Sequence, residues 1–183
     1  MTNFRTYFVG RDVVPETIVL GRDEELSVLL VALPGVSADV SLKVDLNGEG
    51  ARFALNCVGI STADEKIRVH VELRHNVPGC SSSQLFKNLV GGMARVDFYG
   101  RIIVAQDAQK TEAYQANHNL LLSETARVNT KPQLEIYADD VKCSHGATIG
   151  KLNEEEQFYM RSRGISLAEA RFLQMISFVS PVF

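Results

Sequence analysis

The chain has 183 residues, 45% of them apolar and 22% charged, the proportions of a globular domain large enough to bury a core. Nineteen basic and 22 acidic residues give a net charge of −3 with no run of five like charges, which argues against a nucleic-acid surface or a charged tail. The longest apolar run, Val28 to Leu33, falls far short of the ~20 residues of a membrane span, and the N-terminus lacks the pattern of an export signal, so neither membrane nor secretion is expected.

In chain order, apolar and polar residues alternate with period two, as in strands with one buried face. Leu42, Val44 and Leu46 alternate with Lys43, Asp45 and Asn47, and Phe53, Leu55 and Cys57 with Arg52, Ala54 and Asn56. Val69, Val71 and Leu73 alternate with His70, Glu72 and Arg74. Lys87 to Ala94 offers only a short helical turn, weakened by Gly91-Gly92, and Arg95 to Ala105 reads as two strands turned at Gly100. Leu134, Ile136 and Ala138 close the series against Glu135, Tyr137 and Asp139. A sandwich, a jelly roll and a parallel β-helix all fit such a succession of short strands. Asn47-Gly48 is a hairpin signal and lends light weight to antiparallel pairing.

The pattern changes after Gly150, dividing the chain into a strand region, 1–150, and a helical region, 151–183. Asn153 followed by three glutamates is a helix start: the Asn side chain takes an orphan N–H and the acids sit at the positive end of the dipole. Arg161 and Arg163 lie near the helix end, and Gly164 can adopt the left-handed conformation that terminates it. Ser166 and Glu169 form a capping box for a second helix, with Ala168, Phe172, Met175, Ile176 and Val179 as one apolar stripe and Pro181 as the stop. Two helices so closely linked make an αα-hairpin.

Common enzyme signatures are absent: no Gly-x-Ser-x-Gly, no phosphate-binding glycine loop and no His-Glu-x-x-His, so a non-catalytic protein is expected. Asp45-x-Asn47-x-Glu49-Gly50 departs from a calcium loop at its twelfth position, Asn56, and reads as a solvated turn. Cys143 and His145, two apart, share one face of a strand and can address one metal ion from the same side; they supply two of four usual ligands. The alternative is a strand-end Cys and a His bonded to backbone. His70 belongs with Glu72 and Arg74 on a solvent face, and Asn117 and Asn119 read as buried amides bonding the backbone at turns. Cys57 falls on a core face, Cys80 in a more exposed turn, and three cysteines suggest free thiols in a reducing cytoplasm. The last twenty-six residues carry Phe158, Tyr159, Met160, Phe172, Met175, Phe178 and Phe183, more large apolar surface than docking on one face requires, so a partner-binding face stands beside plain core packing.

Several long motifs resemble the SufB/SufD family of the SUF iron–sulfur cluster assembly scaffold. They are Gly100-Arg101-Ile102, Gln109-Lys110-Thr111-Glu112-Ala113-Tyr114-Gln115-Ala116-Asn117, Asn119-Leu120-Leu121-Leu122-Ser123, Thr130-Lys131-Pro132-Gln133-Leu134-Glu135-Ile136, and Ala138-Asp139-Asp140-Val141-Lys142-Cys143-Ser144-His145-Gly146-Ala147-Thr148, followed by Phe158-Tyr159-Met160-Arg161-Ser162-Arg163-Gly164-Ile165. The resemblance is strong over about 96–183 and loose over 1–95. The SufD branch fits better than SufB, because Glu124 to Asn129, where SufB-like sequences carry a cysteine, has none.

The resemblance implies a mainly β fold, a right-handed parallel β-helix core followed by the C-terminal αα-hairpin. It implies pairing with a SufB-type subunit through the β-helix and docking of a SufC-type ATPase through the C-terminal helices. Phe158, Tyr159, Arg163, Phe172, Met175 and Ile176 are the candidate contacts for that docking. It places the family's cluster histidine at His145, with Cys143 as a helper, and implies no stably bound cofactor but a transient iron–sulfur cluster shared with the partner. The family's SufD chains are more than twice this length, so the chain is expected to be a fragment or a short paralogue, its cut end capped or self-associated as a homodimer. A partner-binding fragment or paralogue without cluster chemistry is the alternative function.

Overall fold

In a computed structural model, which describes residues 3–183, eleven strands precede two helices. The strands are β1 (Asn3–Phe8), β2 (Thr17–Leu20), β3 (Glu25–Ala32), β4 (Ala38–Leu46), β5 (Arg52–Ser61) and β6 (Lys66–His75), then β7 (Ser81–Val90), β8 (Arg95–Val104), β9 (Glu112–Leu121), β10 (Arg127–Ile136) and β11 (Lys142–Lys151). The helices are α1 (Glu154–Ser162) and α2 (Leu167–Val179), and a 3₁₀ turn, Ser180–Val182, follows. Odd strands form one sheet in the order β1-β3-β5-β7-β9-β11, even strands the other in the order β10-β8-β6-β4-β2, and every pairing is parallel. Successive strands switching sheets while equivalent strands stack in parallel is the winding of a parallel β-helix. No helix among the described residues is long and apolar enough to cross a membrane.

The alternation in sequence becomes an inside and an outside. Val40, Leu42 and Val44 of β4 stack in register on Val69, Val71 and Leu73 of β6, and Leu46 on His75; Val69 and Leu73 stack in turn on Phe98 and Ile102 of β8, all buried in the lumen. The intervening charges face out and pair from rung to rung, as Arg68 does with Asp39 at 2.6 Å.

The glycines explain where the local signals misled. Asn47-Gly48 is a corner between rungs rather than a hairpin. A Cβ at Gly48 would lie 1.9 Å from the backbone N of Arg22 and 2.0 Å from the carbonyl carbon of Gly21, so the glycine permits stacked corners to touch. Asn47 there accepts from Asn76 Nδ2 one rung on, at 2.7 Å. Gly100 is no turn either: β8 runs straight through it, and its missing side chain makes room for the Gln115 amide across the lumen. Lys87 to Val90 complete β7 rather than turn. Cys80 is buried, its thiol donating to Gly48 O at 3.2 Å, instead of exposed.

The helical region follows its caps. The Asn153 side chain accepts from Glu155 N and Glu156 N, Gly164 has φ +87°, and Ser166 with Glu169 closes a reciprocal capping box. The expected single stripe on α2 splits. Met175 and Val179, with Phe178 and Val182, pack on Leu29, Val31, Val58 and Leu89 of the outer face of the six-stranded sheet, while Phe172 and Ile176 face solvent. Gln174 of α2 bonds Gln157 and Glu156 of α1, which ties the two helices together.

Candidate functional site

The two sheets end differently from how they run. β11 and β10 are the last strands of their sheets, each paired on one side only, so their outer N–H and C=O groups form an open edge. Pro132 within β10 suits an edge position because it has no N–H to offer a second neighbour. At this end the lumen is uncovered: Ile149 of β11 and Ile136 of β10 are exposed, and Val128 and Leu134 only half-buried.

Cys143 and His145 sit here. Register pairs Ala113 with Cys143, Gln115 with His145 and Asn117 with Ala147, so both candidate ligands continue luminal columns of β9. Cys143 is half-buried against the core, which raises its thiol pKa, although a backbone N–H from Ala113 acts the other way. The free protein therefore presents a thiol rather than a thiolate at neutral pH. His145, one pleat on, is exposed. Among the described residues no three His, Cys, Asp or Glu side chains are gathered to hold a metal, so this end supplies two donors and lacks the rest of a coordination shell.

The other histidines and Cys57 lie apart from it. His118 is on the outer face, its Nδ1 2.9 Å from Thr148 Oγ1, and burial followed by the nearby Lys87 charge lowers its pKa. His70 is exposed, edge-on to the Tyr99 ring. Cys57 is fully enclosed, and burial pushes its thiol up to about 12.

The sequence reading missed a luminal amide array. Gln84, Asn88, Gln115, Asn117 and Asn119 are all buried. Gln115 Nε2 donates to Gln84 Oε1 at 3.0 Å, Asn88 Nδ2 to Asn119 Oδ1 at 2.8 Å, and Asn119 Nδ2 to Thr148 O at 3.0 Å. Asn119 thus bonds mid-strand across rungs, and Asn117 accepts from Asn119 within β9, so neither lies at a turn. The signal was available: Gln84 with Asn88 and Gln115 with Asn119 repeat the same spacing 31 residues apart.

The hairpin carries the second surface. Phe158, Tyr159, Phe172 and Ile176 are exposed, the first at 73%, together with Leu167 and Leu173. Arg163 lies over the Tyr159 ring at 5.2 Å and its Nη2 donates to Tyr159 Oη at 3.2 Å. Met175 instead turns toward the β-helix. A cleft of about 730 Å³, walled by Tyr159, Met160 and Leu173 on one side and Leu120 and Lys151 on the other, separates the hairpin from the end of the β-helix.

A parallel β-helix with such an end and such a hairpin is matched by the profile of the SUF system FeS cluster assembly SufBD core domain over residues 11–178, and the chain belongs to that family. It is 45% identical over 135 residues to the iron-sulfur cluster assembly protein SufD of Escherichia coli, covering 74% of this chain and 32% of that protein, and is a SufD-type member. A SufBD family protein of Synechocystis is 36% identical over 165 residues, covering 90% of this chain and 36% of the relative. The chloroplastic protein ABCI7 of Arabidopsis thaliana is 42% identical over 127 residues, or 69% and 26%. The chain thus spans about a quarter to a third of the length of these relatives.

Proposed function

We propose that the chain is a non-catalytic scaffold subunit of iron–sulfur cluster assembly, acting in the cytoplasm. It pairs with a SufB-type subunit through the β10/β11 edge, contributes His145, with Cys143 beside it, to a cluster site shared with that partner, and docks a SufC-type ATPase on the hairpin. The observation that carries this reading is the position of His145: exposed, on the luminal face of a terminal strand with one free edge, beside a half-buried thiol. Two donors at an open edge become a full set only when a second chain brings the others, and a free strand edge is what a partner strand adds to. The cluster is cargo in this scheme, held between subunits and passed on. The exposed Phe158, Tyr159, Phe172 and Ile176 form an apolar face, with Arg163 at its side, of the composition that protein interfaces favour.

The test uses co-purification with SufB-type and SufC-type proteins of the same organism. His145→Ala should leave both partners bound and lower cluster yield in the reconstituted complex severalfold or more; unchanged yield refutes the ligand role. Phe172→Asp should release the ATPase and retain the SufB-type subunit; retention of both refutes the docking face. A chain that binds partners without taking part in cluster chemistry is the second reading, favoured by the presence of only two donors, and an unchanged yield in His145→Ala would establish it.

A further inference from the structure

The amide array has a direction and leads to His145. Five register-equivalent luminal positions are Val28 in β3, Leu55 in β5, Gln84 in β7, Gln115 in β9 and His145 in β11. Beyond the exposed Arg5 of β1, which is in register with Val28, the column is apolar for two rungs and polar for three. Gln84 and Gln115 are each 2% exposed, an unusual depth for amides in a column that could have remained aliphatic.

Their bonding is one-sided. Gln115 Nε2 donates back to Gln84 Oε1, while Gln115 Oε1 is buried without a partner. With its N–H engaged on the rung behind, the carbonyl is left for the rung ahead, where the register neighbour is His145. Gly100 holds the amide in this place. A Cβ there would be 2.5 Å from Gln115 Nε2 and 2.7 Å from Oε1, so the opposite wall is pared to backbone where the Gln115 head group lies. Neighbouring strands stand ~4.8 Å apart, within reach of an imidazole on one and an amide carbonyl on the other.

We infer that Gln115 is a positioning residue for His145: its Oε1 accepts an N–H of the imidazole, turning the ring over the lumen and leaving the other nitrogen unprotonated and free to bind a metal. This rests on the scaffold reading for its purpose but not for its geometry. A histidine ligand is oriented by the hydrogen bond its second nitrogen makes, and a neutral imidazole cannot bind a metal through the nitrogen that carries its proton. Gln84 in turn holds Gln115, so the positioning group is itself anchored one rung deeper.

The experiment is ¹⁵N NMR of the full chain labelled at histidine, above the pH at which imidazoles titrate, with the His145 signals assigned by their loss in His145→Ala. In the wild type one tautomer of His145 should predominate by roughly five- to tenfold, the order one hydrogen bond supports. Gln115→Leu should collapse that preference to the mixture of a free imidazole, while His75 and His118 signals stay in place as a check on the fold. Gln115→Glu, which keeps an acceptor at the same reach, should restore it. Gly100→Ala leaves residue 115 unaltered and displaces its amide, so it should reproduce the loss should Gln115→Leu fold poorly. A tautomer ratio that is the same in wild type and both loss variants overturns the inference. If the ratio responds but His145→Ala leaves cluster yield unchanged, Gln115 positions His145 and the ligand role of His145 is what fails.

Discussion

Below about pH 6.5 the buried imidazole of His75 should draw stability out of the fold. His75 closes β6 with no solvent exposure, its Nε2 2.9 Å from Ser82 Oγ and its Nδ1 without a partner, and its register neighbours are Leu46 and Val104. No carboxylate is bonded to the ring, so burial alone acts, and it pushes the pKa from 6.5 down to about 4. A histidine whose folded pKa is depressed stays neutral in the fold while the unfolded chain takes up a proton. Its contribution is therefore whole above 6.5 and is lost as pH falls from 6.5 to 4. At 1.36 kcal/mol per unit the loss is about 2–3 kcal/mol by pH 4.5, a large fraction of a domain's usual 5–15 kcal/mol. Urea denaturation of wild type and His75→Asn at pH 7.5 and pH 4.5 measures it. The asparagine keeps a polar group beside Ser82 and cannot be charged. The variant should start less stable and fall by about 2–3 kcal/mol less than wild type over this range. His118, also depressed, is common to both proteins and cancels in the difference. Equal falls in the two proteins would show that water or movement around His75 relieves its burial, and the reasoning would be wrong.

Two further outcomes follow from the packing. Gly48→Ala drives a methyl into the backbone of Gly21 and Arg22, which cannot swing aside, and should cost at least about 3 kcal/mol; Gly146→Ala, with nothing within 4 Å, should stay within about 0.5 kcal/mol, both read by thermal or urea unfolding. In native protein a maleimide should modify Cys143 alone, half-buried as it is, and reach Cys57 and Cys80 only after unfolding, which mass spectrometry of the peptides distinguishes; labelling of Cys80 at the rate of Cys143 would contradict its burial beneath Gly48.

The strands were legible because Leu42, Val44 and Leu46, or Val69, Val71 and Leu73, need only one wet and one dry face to betray themselves. Their direction was not, because parallel and antiparallel strands share that period. Parallel sheets are usually dry on both faces, and here a single chain winds so that one face is lumen and much of the other is solvent. Only the motif resemblance resolved the fold, and the 31-residue echo of Gln84 and Asn88 in Gln115 and Asn119 would have done so from the residues alone. Asn47-Gly48 and Gly100 misled for one reason: glycine serves a turn and a close approach equally, and only the neighbouring rung tells which. Caps in the hairpin were readable because Asn153, Ser166, Glu169 and Gly164 act within four residues of themselves. The buried arc of α2 was not, because it packs on Leu29, Val58 and Leu89, residues far away in sequence. His145 was located by motif and spacing, whereas Gln115 became visible only when register set the two side by side.

The tail of the chain leaves the β-helix at its last strand and then doubles back. The 3₁₀ turn after α2 rests on β5 and β7, and Asn56 Nδ2 donates to Val182 O at 2.8 Å across 126 residues of sequence. A solenoid couples each turn only to the next and can peel from an end one turn at a time. This strap ties the end of the chain to the middle of the stack, so loosening the hairpin removes a clamp that spans several turns. A pull on the hairpin therefore enters the stack at two places, at β5 and β7 through the strap and at the end of β11, which Leu152 and Asn153 join directly to α1.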